Sequence, residues 1–311
     1  QPLSPAQLSD RFEGASLTAR AGLYTEDDGR AEPALAAPAL ARGARTKGAT
    51  VLTGCAVRSI ETKAGTVSAV ITERGRIACN AGIVAGGAWS RLFLGNLGID
   101  FPQLRVRGSA MRTAPIKGGP AHALGNGAFG IRPRLDGGYT IAQRGRSKVQ
   151  ITPDSFRLFG KYLGSLRENR GEISLTVDRS MWDGLVTPRH WQPDEVSPFE
   201  KCRVLDPEPQ EAALAKAMRA VQAAFPALKQ ATITEKWGGI IDVTPDAVPV
   251  IDPVDEIPGL VIASGFSGHG FGIGPAAGQL AGELATGAPS LVDPTPFRLD
   301  RFGGAMLKAA E

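Results

Sequence analysis

One junction near the C-terminus constrains this chain more than any other. Leu260-Val261-Ile262-Ala263 is an apolar run of strand length, and Gly265-Phe266-Ser267-Gly268-His269-Gly270-Phe271-Gly272-Ile273-Gly274-Pro275 follows almost at once. A small-residue helix then closes at Gly287, with Ala277, Ala281 and Ala285 on one face and Gly278 and Gly282 on a strip beside it. Strand, glycine turn and helix in that order leave backbone N–H groups free at the helix start, where they can face a ligand. Pro275 is expected in the first helical turn, and Gly287 is the expected stop. Small residues along the helix let it approach a sheet closely, which points to an α/β layer.

A second junction has a similar form. Gly82-Ile83-Val84-Ala85 reads as a buried strand, Gly86-Gly87-Ala88-Trp89-Ser90 follows, and a helix is expected to start near Trp89. The glycines allow either a tight packing turn or close approach of a cofactor. Upstream, a helix is expected from about 35 to 46, ended by Gly48, with Pro38 tolerable only in its first turn. Period-two runs at 56–60, 67–71 and 76–79, separated by Lys63-Ala64-Gly65 and Arg74-Gly75, predict antiparallel strands.

The middle of the chain has a different texture. Strands are expected at 104–107 and 111–113, and a hairpin joins 129–134 to 139–142 through Asp136-Gly137-Gly138. A helix over 209–225 places Leu214, Met218, Val221 and Phe225 on one face. These textures divide the chain at 1–102, 103–235 and 236–311. The outer two form one discontinuous α/β domain, and the middle one is an α+β domain built on an antiparallel sheet.

The 311 residues suffice for two domains with real cores. A net charge of +4, with arginines scattered rather than clustered, argues against a nucleic-acid partner. Cys55, Cys79 and Cys202 are too widely spaced for a disulfide framework, and with three isolated histidines they offer no metal-ligand spacing. A reducing, cytoplasmic compartment is the simpler reading. No apolar run is long enough to span a bilayer, so no transmembrane segment is expected.

Three pieces together carry a family resemblance: Asp28-Gly29-Arg30-Ala31-Glu32-Pro33 with its helix, Gly86-Gly87-Ala88-Trp89-Ser90, and Trp237 through Pro275. The most specific part is Thr244-Pro245-Asp246 followed by the Gly265-Phe266-Ser267-Gly268-His269-Gly270-Phe271 string. The sequence resembles the D-amino-acid oxidase, glycine oxidase and sarcosine oxidase superfamily of flavoproteins. The resemblance weakens between about 115 and 230. It implies a Rossmann-like FAD domain, an antiparallel-sheet substrate domain, and FAD as cofactor. The implied reaction oxidises the C–N bond of a small amine or amino acid (a D-amino acid, a glycine-like or an N-methylated one) to an imine that water hydrolyses. Family members begin with a strand, a GxGxxG turn and a helix that hold the FAD pyrophosphate. These residues lack that motif, so the FAD domain is expected to be incomplete and its complement to lie on an N-terminal fragment or chain.

The resemblance assigns cofactor contact to Gly265, Ser267, Gly268, His269, Gly270, Phe271, Gly272, Ile273 and Gly274, where the positive helix end would favour negative charge on reduced flavin. His269 is read as flavin-proximal, and no residue is assigned as catalytic base. Gly86, Gly87 and Ala88 form a second contact set. Cys55, Ala56 and Val57 correspond to a strand that approaches adenine, with an ordinary core strand as the alternative. Substrate contact falls on Arg132, Arg134 and Tyr139 of the hairpin, where a guanidinium can clamp a carboxylate, and on Trp237, Ile240 and Asp242. Each of these has a solvent-facing alternative. His190-Trp191 reads as a packed or surface loop rather than part of a lid.

The sequence also departs from the family pattern. Relatives carry an arginine near Gly239-Ile240-Ile241, a lysine where Gly272 stands, or a cysteine near Gly239 that links the flavin covalently; this chain has none of them. Non-covalent FAD is therefore expected, and no single substrate label transfers. The missing GxGxxG also motivates rival readings: a non-catalytic subunit or truncated flavoprotein remnant, or a small-amine binding module.

Overall fold

The computed structural model describes residues 1–303 apart from 13, 146, 169–170 and 172; the end of the expected tail, 304–311, lies outside the described residues. The chain forms a mixed α/β fold of two compact units, each discontinuous in sequence.

The first unit comprises residues 1–51, 107–147 and 206–239. Its antiparallel sheet is built around the expected hairpin: Phe129–Pro133 pairs with Tyr139–Gln143, placing Ile131 opposite Ile141. The strand Leu104–Thr113 lies on the other side of the hairpin, with Met111 opposite Ile141. It is continuous where two separate strands were expected. Alternation along the strands gathers Met111, Phe129, Ile131, Tyr139 and Ile141 into one buried cluster. The helix Glu211–Ala224 covers them with Leu214, Ala217, Val221 and Ala224. Each fully buried aliphatic side chain here stabilises the fold by about 1.5–3 kcal/mol.

The helix Pro33–Thr46 begins two residues earlier than expected, so Pro38 lies inside it rather than in its first turn. None of its residues is buried, so the proline ring meets solvent and only a ladder bond is lost. Gly48, at φ +93°, ends the helix as expected.

The second unit comprises residues 52–106, 148–205 and 240–311. A meander of Val57–Lys63, Thr66–Thr72 and Gly75–Ala78 matches the three expected strands. A separate sheet is ordered Val250–Pro253, Leu260–Ser264, Gly82–Val84, with the last two strands parallel. All five residues of Leu260–Ser264 are buried. Leu260 and Ile262 pack with Leu94, Phe101 and Val250, while Val261 and Ala263 meet Ala277, Leu280 and Ala281 of the helix Gly270–Thr286. That helix starts inside the glycine string, so Pro275 falls in its second turn rather than its first. Each interior glycine costs about 1 kcal/mol relative to alanine, and packing of the Ala277–Leu280–Ala281 face outweighs this. Gly287, at φ +69°, closes the helix as expected.

The unit boundaries differ from the division at 102 and 235. Residues 1–51 join the antiparallel sheet because Phe12 meets Phe225 edge-on at 6.4 Å and Glu32 pairs with Arg132 at 3.0 Å. Residues 148–205 join the second unit because Trp191 and Glu200 bond to Arg58, and Arg203 to Glu73.

Candidate cofactor site

The 265–268 turn of the second unit runs through three positive φ values: Gly265 +81°, Ser267 +53° and Gly268 +84°. A side chain at Gly265 would run into Thr244 Cγ2. Asp242 fixes this backbone at two points. Its Oδ2 accepts the Gly265 N–H at 2.7 Å, and its carbonyl accepts the Ser267 N–H at 2.9 Å. Ser267 Oγ in turn accepts the Thr244 N–H at 3.2 Å. Gly268 and His269 are exposed, as are Phe271, Gly272 and Ile273 in the first turn of the helix, whereas Gly270 and Gly274 are half-buried.

The 86–88 turn is tied to the 265–268 turn. Gln103 Nε2 donates to Gly87 O at 2.9 Å and to Asp242 Oδ2 at 3.2 Å, while its Oε1 accepts the Arg91 N–H at 3.1 Å. Ser264 Oγ donates to Ser90 Oγ at 2.7 Å. Arg105 grips Ala88 O through Nε and Nη2, at 3.0 and 2.8 Å. Gln103 is 2% exposed, and Ser90 and Ser264 are fully buried.

Cys55, Ala56 and Val57 meet residues 82–86 across a cleft of about 400 Å³, which Trp89, Phe199 and Arg203 also line. The cleft walls are mostly apolar. Glu73 accepts the Ala56 N–H at 2.6 Å, and Arg203 holds both of its oxygens at 2.7 Å. Hydrogen bonds from Arg203, and then from the Ala56 N–H, hold the Glu73 carboxyl down to about 2. Phe199 sits edge-on to Trp89 and to Trp191, at 5.5 and 5.4 Å. Trp191 is buried in the core beside this cleft wall, and its Nε1 donates to Arg58 O at 2.8 Å.

The hairpin residues share partners within the first unit. Arg132 lies 3.0 Å from Glu32, and Arg134 lies 3.7 Å from Glu32 and 3.1 Å from Asp136. Thr140 Oγ1 accepts from both guanidiniums, at 3.2 and 3.3 Å. Hydrogen bonding from Arg132 holds the Glu32 carboxyl below its ordinary value. Tyr139 is buried, and burial pushes its phenol up. Trp237 is half-buried in the first unit, and Ile240 and Asp242 are half-buried in the second, all on the strand Ile233–Val243.

Gln103, Ser264, Glu73, Phe199 and Arg203 were not among the expected site residues. Gln103 lies in a loop, and Ser264, Glu73 and Arg203 carry no local motif. Only the tertiary fold shows what they bond. Among the described residues, no helix is long and apolar enough to cross a membrane, and no group of His, Cys, Asp and Glu side chains forms a candidate metal site.

A cleft beside a glycine turn on an α/β unit, together with a unit built on an antiparallel sheet, fits the flavoprotein architecture that the family resemblance implies. The chain belongs to the FAD dependent oxidoreductase family, whose model matches residues 1–284. Sarcosine oxidase subunit beta of Rhizobium meliloti is 28% identical over 298 residues, spanning 94% of this chain and 57% of the relative. Glycine oxidase of Pseudomonas putida is 25% identical over 248 residues, spanning 78% and 52%. The chain thus spans little more than half the length of these curated relatives. L-amino acid deaminase from Proteus myxofaciens, solved in complex with anthranilate, superposes with a TM-score of 0.92 at 36% identity, covering 97% of this chain and 67% of that one.

Proposed function

We propose that this protein takes part in the FAD-dependent oxidation of the C–N bond of a small amine or amino acid. The observation that carries this reading is the linkage of the 86–88 and 265–268 turns through Gln103 and Asp242. The residues present fit the cofactor. The cleft offers apolar walls to a flat ring, and the turns offer close backbone approach. FAD, when bound, supplies the two-electron acceptor for the substrate C–N bond. Cys55, Ala56 and Val57 would hold its adenine end. Gly86, Gly87 and Ala88, together with Gly265, Ser267, Gly268, His269, Gly270, Phe271, Gly272, Ile273 and Gly274, would meet the rest.

The start of the helix Gly270–Thr286 brings its positive end to that surface, which favours an anionic form of the bound group. Arg132 and Arg134 are the candidate clamp for a substrate carboxylate, with Tyr139, Trp237, Ile240 and Asp242 as further substrate contacts. Their present hydrogen-bond partners are Ala31, Glu32 and Thr140 for Arg132 and Asp136 and Thr140 for Arg134, so a substrate carboxylate would share or displace these bonds. The names of the relatives favour an amino acid over a simple amine: sarcosine, glycine and L-amino acids each occur there. Cys55, Cys79 and Cys202 are free, which suits a reducing compartment such as the cytoplasm. Non-covalent FAD completes the reading.

The test is the visible absorption of the purified protein, followed anaerobically as glycine, sarcosine and D- and L-amino acids are added in turn. A flavin spectrum that bleaches with one class supports the proposal and names the substrate class. No flavin and no uptake of added FAD would sink it. Flavin that no substrate bleaches would favour a non-catalytic subunit.

A further inference from the structure

The geometry points to Gln103 as a positioning residue for the cofactor site, one whose buried carboxamide sets the spacing of the 86–88 and 265–268 turns. This rests on the reading of both turns as cofactor contacts. At 2% exposure Gln103 cannot present a polar surface to a ligand, so it acts through what it holds. Both of its side-chain polar atoms are used. Nε2 donates to Gly87 O and Asp242 Oδ2, and Oε1 accepts the Arg91 N–H. A buried polar side chain is tolerated when its bonds are made, and its partners suffer when it is removed.

No other uncharged side chain of this length combines two donors and an acceptor in one plane. Ionised glutamate would keep the acceptor and lose both donors, and leucine would lose everything. The alternative bridge is weaker: Ser264 Oγ stands 3.3 Å from Gly87 O and 3.4 Å from Asp242 Oδ2, and its closest partner is Ser90 Oγ. Asp242 in turn holds the Gly265 N–H, in a turn whose positive φ values need fixed partners. Gln103 thus passes the position of one glycine turn to the other.

The test compares Gln103→Glu and Gln103→Leu with the wild-type protein and with Val254→Ala, a buried core truncation that touches neither turn. FAD affinity is measured by titration, the flavin environment by its visible absorption bands, and fold stability by thermal melting. Both Gln103 variants are expected to weaken FAD binding at least tenfold and to shift the flavin bands. Val254→Ala should lower the melting temperature while leaving the affinity within twofold of wild type. Wild-type affinity and spectrum in Gln103→Glu would overturn the inference, as would an equal loss of affinity in Val254→Ala. Should Gln103→Leu fail to fold, the volume-conserving Gln103→Glu decides. If the wild-type protein takes up no FAD, the proposed function fails and takes the inference with it. If it binds FAD and the Gln103 variants bind equally well, the inference alone fails.

Discussion

Arg203 holds both carboxylate oxygens of Glu73 at 2.7 Å, and one of those oxygens also accepts the Ala56 N–H at 2.6 Å. A single carboxylate therefore fixes the backbone of one cleft wall and anchors a side chain of another. Arg58 treats Glu200 in the same way, at 2.9 and 2.8 Å. Both carboxyls are depressed from 4.5 to about 2, each chiefly by its arginine's hydrogen bonds. A depressed folded-state value means that stability is complete above the unfolded value and is lost as pH falls toward the folded one. Acid should therefore destabilise the protein progressively from about 4.5 down to about 2. Urea midpoints measured from neutral to acid pH should fall over that window, and Glu73→Gln should flatten the fall while lowering the neutral midpoint.

Gly265→Ala should destabilise the protein by about 1–3 kcal/mol, because a left-handed backbone and a collision with Thr244 act together. Gly272→Ala is its opposite. Nothing lies within 4 Å of the added methyl, and the position is helical, so the cofactor-free protein should gain up to about 1 kcal/mol. Denaturant unfolding without FAD measures both. If that helix face meets the cofactor, Gly272→Ala will also weaken FAD binding despite its greater stability.

Cys55 lines the cleft, whereas Cys202 is exposed and not among the lining residues. FAD or ADP should therefore slow modification of Cys55 by a small thiol reagent and leave Cys202 unaffected. Peptide mass spectrometry separates the two sites. Equal rates with and without nucleotide would remove Cys55 from the cofactor's neighbourhood.

Arg132→Met and Arg134→Met report on the carboxylate clamp. A hydrogen bond to a charged group contributes about 1.5–3 kcal/mol, so losing one should raise KM for an amino acid roughly tenfold or more. The same substitutions should leave KM for a carboxylate-free amine unchanged. A matching rise for both substrates would assign the arginines to holding Glu32 instead.

The hairpin from 129 to 143 was legible because local turn chemistry and period-two burial point the same way. The three strands of the meander were legible for the same reason. The start of the helix Gly270–Thr286 was not. Glycines at 270, 272 and 274 read locally as loop, and only packing of Ala277, Leu280 and Ala281 on the strand Leu260–Ser264 makes them helical. The two glycine turns were legible as turns from their glycine strings. Their fasteners were not, because Gln103, Ser264 and Arg203 acquire meaning from partners far away in sequence. The capping box of Ser197 and Glu200 was a local signal for the short helix that carries Phe199 into the cleft wall.

Ser90 and Ser264 bond across 174 residues, and the parallel strands beside them span a similar separation. This separation sets the order of events at the ribosome. At about 5–20 residues per second, the strand Gly82–Val84 waits roughly 9–35 s for its neighbour to be synthesised. During that interval the edge it later pairs is an unpaired template for other chains, and the first glycine turn, held by Gln103 and Arg105, lacks its links to Asp242 and Ser264. Non-local pairing of this kind also folds slowly. On the proposed reading of both turns as cofactor contacts, capture of FAD would be a late event in the life of the nascent chain, and the yield of folded protein depends on how well the early strand is sheltered until then.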